Sequence, residues 1–348
     1  MSKLAPGTFR IVRYEPGLFD VLAAVPAWEP LSKLRHRSYL NWYYASSDRC
    51  QLNIVLDRDE KCLGCQGREL MNFRIGESQL KVAGFSSFYA FSAGSAFYAF
   101  AACMRGCDAG VMAGGSGPAQ AFVGRLKWEP RAVETYCLNV RYSETEGRRC
   151  RAICKNLLNR LTPKTALSSL AERLPADLRG IQVIERSAYE AGLLDFSSGF
   201  ALRFAPDLQH LSWRYALDLP FVRYRLFQAF LEKKYLGYII LQDIPARVLV
   251  SQVDGVEPTL LAGAIIHAIG AVAKDRADRR QVILLASNTA MRTLFKSVGF
   301  RHRHNGDRPV AFGTTTGALA MPVPASEWLV NYDWGDRGLY RPFLDEIG

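Results

Sequence analysis

One feature constrains this chain more than any other: its predicted elements run through the same order twice, and self-similarity at a period near half the length is the signature of a duplicated domain. The first half opens with a strand over residues 8–14, closed by Pro16 and Gly17, and continues as a helical stretch from Leu18. Three strand-like runs follow, at 50–56, 62–75 and 80–91, with Gly76 turning the last two into a hairpin. Residues 93–104 are rich in alanine and aromatic side chains and lack β-branching, which predicts a buried helix. A strand at 109–113, a helix at 117–126 and a strand at 133–140 complete the set. The second half repeats it: a strand at 182–185, a helix at 207–217, strands at 224–231, 237–241 and 247–253, a long helix at 259–274, a strand at 281–286, a helix at 289–297 and a strand at 309–312.

A length of 348 residues also exceeds what one hydrophobic core usually serves, so the chain divides into residues 1–142, a basic helical linker at 143–178, and residues 179–348. Hydrophobic residues make up 49% and charged residues 22%, an ordinary globular balance that leaves no room for a long disordered tail. The longest apolar run, 260–273, carries His267 and two glycines and is too short to cross a bilayer, so it reads as a buried helix. The N-terminus has no segment of signal-peptide character, and the expectation is a cytoplasmic protein without a membrane span.

Eight cysteines in a reducing compartment default to free thiols. Cys62 and Cys65 form a CxxC with no second pair at zinc spacing, Cys150 and Cys154 share a helix face with no histidine near, and the five histidines show no ligand spacing. No metal is expected. The formal charge of +11 attracts anions, among them coenzyme A phosphates, an acidic carrier protein, tRNA or an anionic membrane surface. Arg148, Arg149, Arg151, Lys155, Arg160 and Lys164 concentrate that charge in the linker, which reads as a solvated connecting helix or as a docking face for an acidic partner.

Local matches sharpen the repeat. Gly115-Ser116 follows the late strand of the first half and precedes Ala119, Phe122, Lys127 and Trp128; Ser287-Asn288 follows the equivalent strand of the second and precedes Met291, Leu294, Gly299 and Phe300. The stretch from Ser287 through Met291 to Gly299-Phe300, together with Leu211-Ser212-Trp213-Arg214-Tyr215, Pro220, Tyr224, Trp328, Asp333 and Asp336, resembles the tandem GNAT (N-acetyltransferase-like) acyltransferases. The resemblance implies an α/β (α+β) fold of two tandem GNAT-like domains, each a mixed β-sheet flanked by helices. It also implies transfer of an acyl group from an acyl-CoA or acyl carrier protein thioester to an amine or hydroxyl of a small-molecule, sugar or peptide acceptor.

In that family the donor's pyrophosphate lies where the fourth strand turns into the long helix, and the physics suits any anion, because unpaired N–H groups and the positive end of the helix dipole face the ligand. The family pattern there is Gln or Arg, two residues, Gly, one residue, then Gly or Ala. The first-half loop, Phe91-Ser92-Ala93-Gly94-Ser95-Ala96, keeps Gly94 and Ala96 without the polar first residue. The second-half loop keeps Gln252 and Gly255 but sets Asp254 and Glu257 where phosphates would sit, a like-charge conflict. The donor is therefore expected in the first half, against Phe91, Gly94, Ser95, Ala96 and Ser116, with Gly255 and Asn288 as the second-half equivalents. The family's tyrosine acid is missing, since Val123 and Phe295 stand at the matching positions. Catalysis then rests on proximity and on carbonyl polarisation by the strand backbone, with another tyrosine or solvent as acid.

Tyr215, Tyr224, Asp333 and Asp336 are the candidate polar groups of a cleft between the copies, with Arg214 to hold an anionic acceptor; the competing reading makes Tyr215 a core residue and the two aspartates solvated turn residues. Trp42, Tyr43 and Tyr44 line an acyl pocket or simply pack. Two other functions fit the same sequence: an aminoacyl-tRNA-dependent, Fem-like transferase, and a degenerate pair that serves as a binding scaffold.

Overall fold

The computed structural model describes residues 9–25, 33–92, 94–139, 167–220, 222–244, 247–274, 281–321 and 323–334. Its first half comprises β1 (Phe9–Arg13), α1 (Phe19–Ala23), α2 (Arg37–Leu40) running into a π-turn at Asn41–Ala45, β2 (Cys50–Asp57), β3 (Cys62–Ile75), β4 (Ser78–Ala90), α3 (Ser95–Met104), β5 (Ala109–Ala113), α4 (Gly117–Arg125) and β6 (Arg131–Asn139). The second comprises β7 (Ile181–Arg186), β8 (Leu202–Phe204), α5 (Leu208–Arg214), β9 (Tyr224–Leu231), β10 (Lys234–Ile244), β11 (Arg247–Gly255), α6 (Pro258–Lys274), β12 (Gln281–Ala286), α7 (Thr289–Ser297), β13 (Arg301–His302), β14 (Arg308–Gly313) and β15 (Trp328–Leu329). The order read from the sequence holds element for element. The short strands β8, β13 and β15 are additions.

The strands join into one path, β1-β2-β3-β4-β5-β14-β6-β12-β11-β10-β9-β7. In each half a parallel pair, β4–β5 and β11–β12, is joined by the long helix, as parallel pairing demands a crossover. The β4–β5 pair is bonded only from Val82–Gly84 to Ala109–Val111, and the β11–β12 pair only from Arg247–Leu249 to Gln281–Ile283. Beyond those three-residue contacts the strands diverge, so each half holds a wedge. The halves also exchange their late strands: β14 of the second pairs with β5 of the first, while β6 of the first pairs along the whole of β12. The sheet therefore runs across the division expected between 1–142 and 179–348.

The apolar run at 260–273 is indeed a buried helix, α6, hydrophobic around most of its circumference and enclosed by β10, β11 and α7. Of the linker, residues 143–166 lie outside the described residues, and with them the arginine cluster. Its end is not a solvated helix: the turns Leu167–Arg173 and Ala176–Leu178 bury Leu167, Leu170, Leu174 and Leu178 in the second-half core. The predicted helix at 207–217 is shorter than expected, because Asp207 caps it by accepting from His210 N at 2.7 Å and it ends at Arg214. A separate core fills the space between the halves, where Tyr39, Tyr43 and Tyr44 meet Leu211, Tyr215, Tyr224 and Tyr238. No helix among the described residues is long and apolar enough to cross a membrane.

Candidate active site

The first wedge is open. It holds a cavity of about 480 Å³ that starts between Phe91 at the end of β4 and Ser116 at the head of α4 and deepens toward Phe85 and Met112, where the two strands begin to part. At the rim, Gly94 has φ +87°, a left-handed conformation that glycine adopts without strain, and serves as the N-cap of α3. Its carbonyl accepts from the amides of Phe97 and Tyr98 at 3.1 and 3.3 Å, and no side chain caps the turn. Ser95 turns its hydroxyl back to Ser92 O at 2.9 Å. Of the predicted donor residues, Phe91 and Ser116 line the cavity, while Gly94, Ser95 and Ala96 form the first turn of α3 beside it.

Sequence reasoning missed the polar side of this cavity, formed by Gln66, Ser86, Ser87 and Trp334. The register of β3 on β4 slips between Cys65 and Gly67, and Ser87 takes φ +47°, so the strand bulges where it faces the cavity. Tyr44, fully buried, donates to Ser87 Oγ at 2.9 Å and lies 3.0 Å from Ser86 Oγ. A Cβ at Gly67 would overlap both the Tyr44 hydroxyl and Ser86 Oγ, which is why that position is glycine. The available signal was the pair Ser86-Ser87 inside an otherwise apolar strand. The aromatic run 42–44 thus splits: Tyr44 reaches the cavity wall, whereas Trp42 and Tyr43 pack against Trp213 between the halves.

The second wedge is filled by the chain itself. Asn331 accepts from Val253 N at 3.0 Å and donates to Val253 O at 3.2 Å, Asp333 N donates to Ser251 O, and Ser287 Oγ donates to Trp328 O, so residues 328–333 lie along the separated ends of β11 and β12. The anion positions are taken as well. Asp254 accepts from Gly255 N at 2.8 Å, from Ser198 Oγ at 2.6 Å and from Arg203 at 2.5 Å, while Glu257 caps α6 by accepting from Thr259 N and Leu260 N. Burial pushes the Asp254 carboxyl up to about 6 although Arg203 opposes the shift. Of the second-half residues expected at a donor, Gly255 donates its amide to Asp254 and accepts from Gly199 N at 3.0 Å, and Asn288 caps α7 by accepting from Ala290 N and Met291 N.

Three of the four predicted polar groups do come together. The rings of Tyr215 and Tyr224 meet edge-on at 5.2 Å, the Arg214 guanidinium lies over the rings of Tyr43 and Tyr215, and burial raises both Tyr215 and Tyr224, with the charge of Asp333 adding to the rise. All are sealed inside, including Asp333 at 2% exposure, so neither a solvated turn nor an open cleft describes them. Asp336 lies outside the described residues. The sequence reading also missed the anchor of this cluster, Glu69 of β3, which accepts from Tyr43 OH at 2.7 Å and lies 2.6 Å from His210 Nε2 and 3.4 Å from Arg214 Nε. Burial acts to raise the Glu69 carboxyl, but Arg214 and His210 outweigh it and hold it below its ordinary range. Arg308, also buried, donates to the carbonyls of Ala113, Tyr332 and Trp334, fastening the segment that fills the second wedge to the rim of the first. Cys62 and Cys65 stand on β3 as free thiols, both pushed up by burial.

A parallel strand pair joined by a helix and splayed into a wedge, present twice in one chain, is the fold of the GNAT N-acetyltransferases in tandem. Solved structures bear this out. A GCN5-related N-acetyltransferase from Anabaena variabilis superposes with a TM-score of 0.57 at 10% identity, covering 88% of this chain and 73% of that one. One from Kribbella flavida gives 0.55 at 12%, covering 88% and 72%. Saccharomyces cerevisiae N-myristoyltransferase, solved with bound myristoyl-CoA, gives 0.53 at 8%, covering 95% and 84%. No protein-family model and no curated protein sequence matches the chain.

Proposed function

We propose that the chain transfers an acyl group from a thioester donor to an amine or hydroxyl acceptor, and that it does so from the first wedge only. The observation that carries this reading is the contrast between the two wedges: one is open beside a helix N-terminus that no side chain caps, and the other is closed by the chain's own carboxylates and its own C-terminal segment. The donor's phosphates would lie on the first-turn amides of α3, where the helix dipole favours negative charge. Its thioester would reach the bulge at Ser86 and Ser87. There the acceptor's nitrogen or oxygen attacks the carbonyl carbon, the C–S bond breaks, and the acceptor's proton is released as the thiolate takes one up. Tyr44 and Ser87 form a hydrogen-bonded pair at that point, and a hydroxyl that accepts from a buried tyrosine is a stronger donor in turn, which suits it to the thiolate. Tyr215, Tyr224 and Asp333, although gathered, then serve to hold the halves together rather than to meet substrate.

A thermal-shift panel of acetyl-CoA, longer acyl-CoAs, acyl carrier protein and bulk tRNA tests the reading, since a ligand of the native state raises its melting temperature by mass action. An acyl-CoA or carrier response that disappears in Gly94→Val supports it; a response to tRNA alone returns the Fem-like reading, and silence toward all of them the scaffold. Between the two thioester carriers, neutralising Arg148, Arg149, Arg151 and Lys155 discriminates. An acidic carrier protein would meet several of these charges at once and associate more slowly with the variant, whereas free acyl-CoA would not.

A further inference from the structure

We infer that the acyl group handled in the first wedge is apolar and larger than acetyl, seated between α3, α4 and the sheet; this rests on the donor reading above. The cavity does not stop at the gap between β4 and β5. Its inner walls are Phe85, Phe100, Met112, Ala119, Phe122 and Val123, the same side chains that form the core under the two helices. Protein interiors pack to the density of organic crystals, and space left inside a core lowers stability in proportion to its volume. A cavity of about 480 Å³ in this place is therefore a shaped vacancy for an occupant that returns the lost contacts.

The walls also choose its chemistry. A buried water needs two to four polar partners, which the six inner wall residues do not supply with their side chains, so the occupant of the inner end is hydrocarbon. An acetyl group displaces only the volume of about two waters, roughly 60 Å³, a small part of the whole cavity of about 480 Å³. The inner wall formed by Phe85 and Phe100 is backed by Trp128, which stacks on Phe85 at 5.8 Å, packs on Phe100 at 5.9 Å, and donates its indole N–H to Thr314 O at 2.9 Å. A Cβ at Gly110 or Gly313 would strike the Trp128 ring, so both glycines are needed to admit it. Such a wall sets a maximum chain length. Outside, Phe91 at the rim of the cavity is 38% exposed, and Phe97 in the first turn of α3 is 55% exposed.

Calorimetric titration of the whole protein with coenzyme A, acetyl-CoA, butyryl-CoA, octanoyl-CoA and palmitoyl-CoA tests this. Affinity should rise about fourfold for each methylene that finds room, the equivalent of about 0.8 kcal/mol, and stop rising once the chain meets the Phe85–Phe100 wall. Acetyl-CoA binding as tightly as octanoyl-CoA would overturn the inference while leaving the donor reading intact, and no binding of any member, coenzyme A included, would overturn the donor reading itself. Ala119→Leu fills the chamber, and it should raise the melting temperature and abolish the ratio between octanoyl-CoA and acetyl-CoA affinities. Val123→Phe is the second variant should the first not fold. A ratio that survives in the folded variant places the chain elsewhere and sinks the assignment.

Discussion

Glu69 and Asp254 are both buried carboxylates paired with arginine, yet they act on stability with opposite signs. Glu69 titrates below its ordinary value of 4.5, so its stabilisation is complete above that value and is lost as the pH falls through the lower folded value. Asp254 titrates near 6 in the folded chain against an ordinary 3.8, so the native state carries a penalty above pH 6 that fades as the pH drops toward 4. Asp254→Asn should therefore flatten the change of melting temperature between pH 7 and pH 5; identical pH profiles for variant and parent would refute the assignment. Glu69→Ala leaves Arg214 without its buried carboxylate and should destabilise by about 3–5 kcal/mol, measured by urea unfolding. At the bulge, Tyr44→Phe removes the hydroxyl that donates to Ser87 and is expected to lower kcat on the order of a hundredfold with KM nearly unchanged, by weakening Ser87 as the donor to the thiolate. An equal rise in KM would make Tyr44 a packing residue. The Glu69–His210 pair did not announce itself in the sequence, because a glutamate in strand β3 and a histidine in α5 acquire meaning only once the fold brings them within 2.6 Å.

At the scale of elements, the sequence was far more legible. Period and turn chemistry mark β3, β5, β9, β12 and α7 to within a residue, since each pairs a clear hydrophobic pattern with a turn signal at its end. The wedge itself was not readable, because divergence of two strands depends on which neighbours pair with them and not on their own residues. What was readable was the concentration of carboxylates in the second-half loop, and in the structure Asp254 accepts from Gly255 N and Glu257 from Leu260 N. The short strands β8 and β15, of three and two residues, escaped detection because they are too short for a period and gain their bonds from distant partners, β8 on β3 and β15 on β8. The segment that fills the second wedge is held there by Asn331. Asn331→Ala should loosen it, raising amide exchange at Val253 while the first-wedge affinity for coenzyme A stays put; protection that persists would assign the seal to packing by Trp328 and Leu329 alone.

For the whole molecule, the exchange of β6 and β14 fixes how the chain is made as well as how it stands. Strand β5 emerges early, but the neighbour that completes its edge begins at Arg308, about 195 residues after Ala113. At the usual pace of about 5–20 residues per second a ribosome needs roughly ten to forty seconds to cover that distance. Throughout that interval the first wedge has a floor and two helices but one raw strand border, the kind of border that recruits foreign strands. Ribosome-bound chains halted before residue 308 should accordingly be cut readily by protease within the first half and be bound by chaperones. Chains halted well past Trp334, with the exit tunnel cleared, should resist, and equal resistance in both would mean that the first half closes its edge without help. The exchange thus ties the first wedge to the arrival of the segment that begins at Arg308, so that a chain cut short of it lacks the strand that pairs with β5.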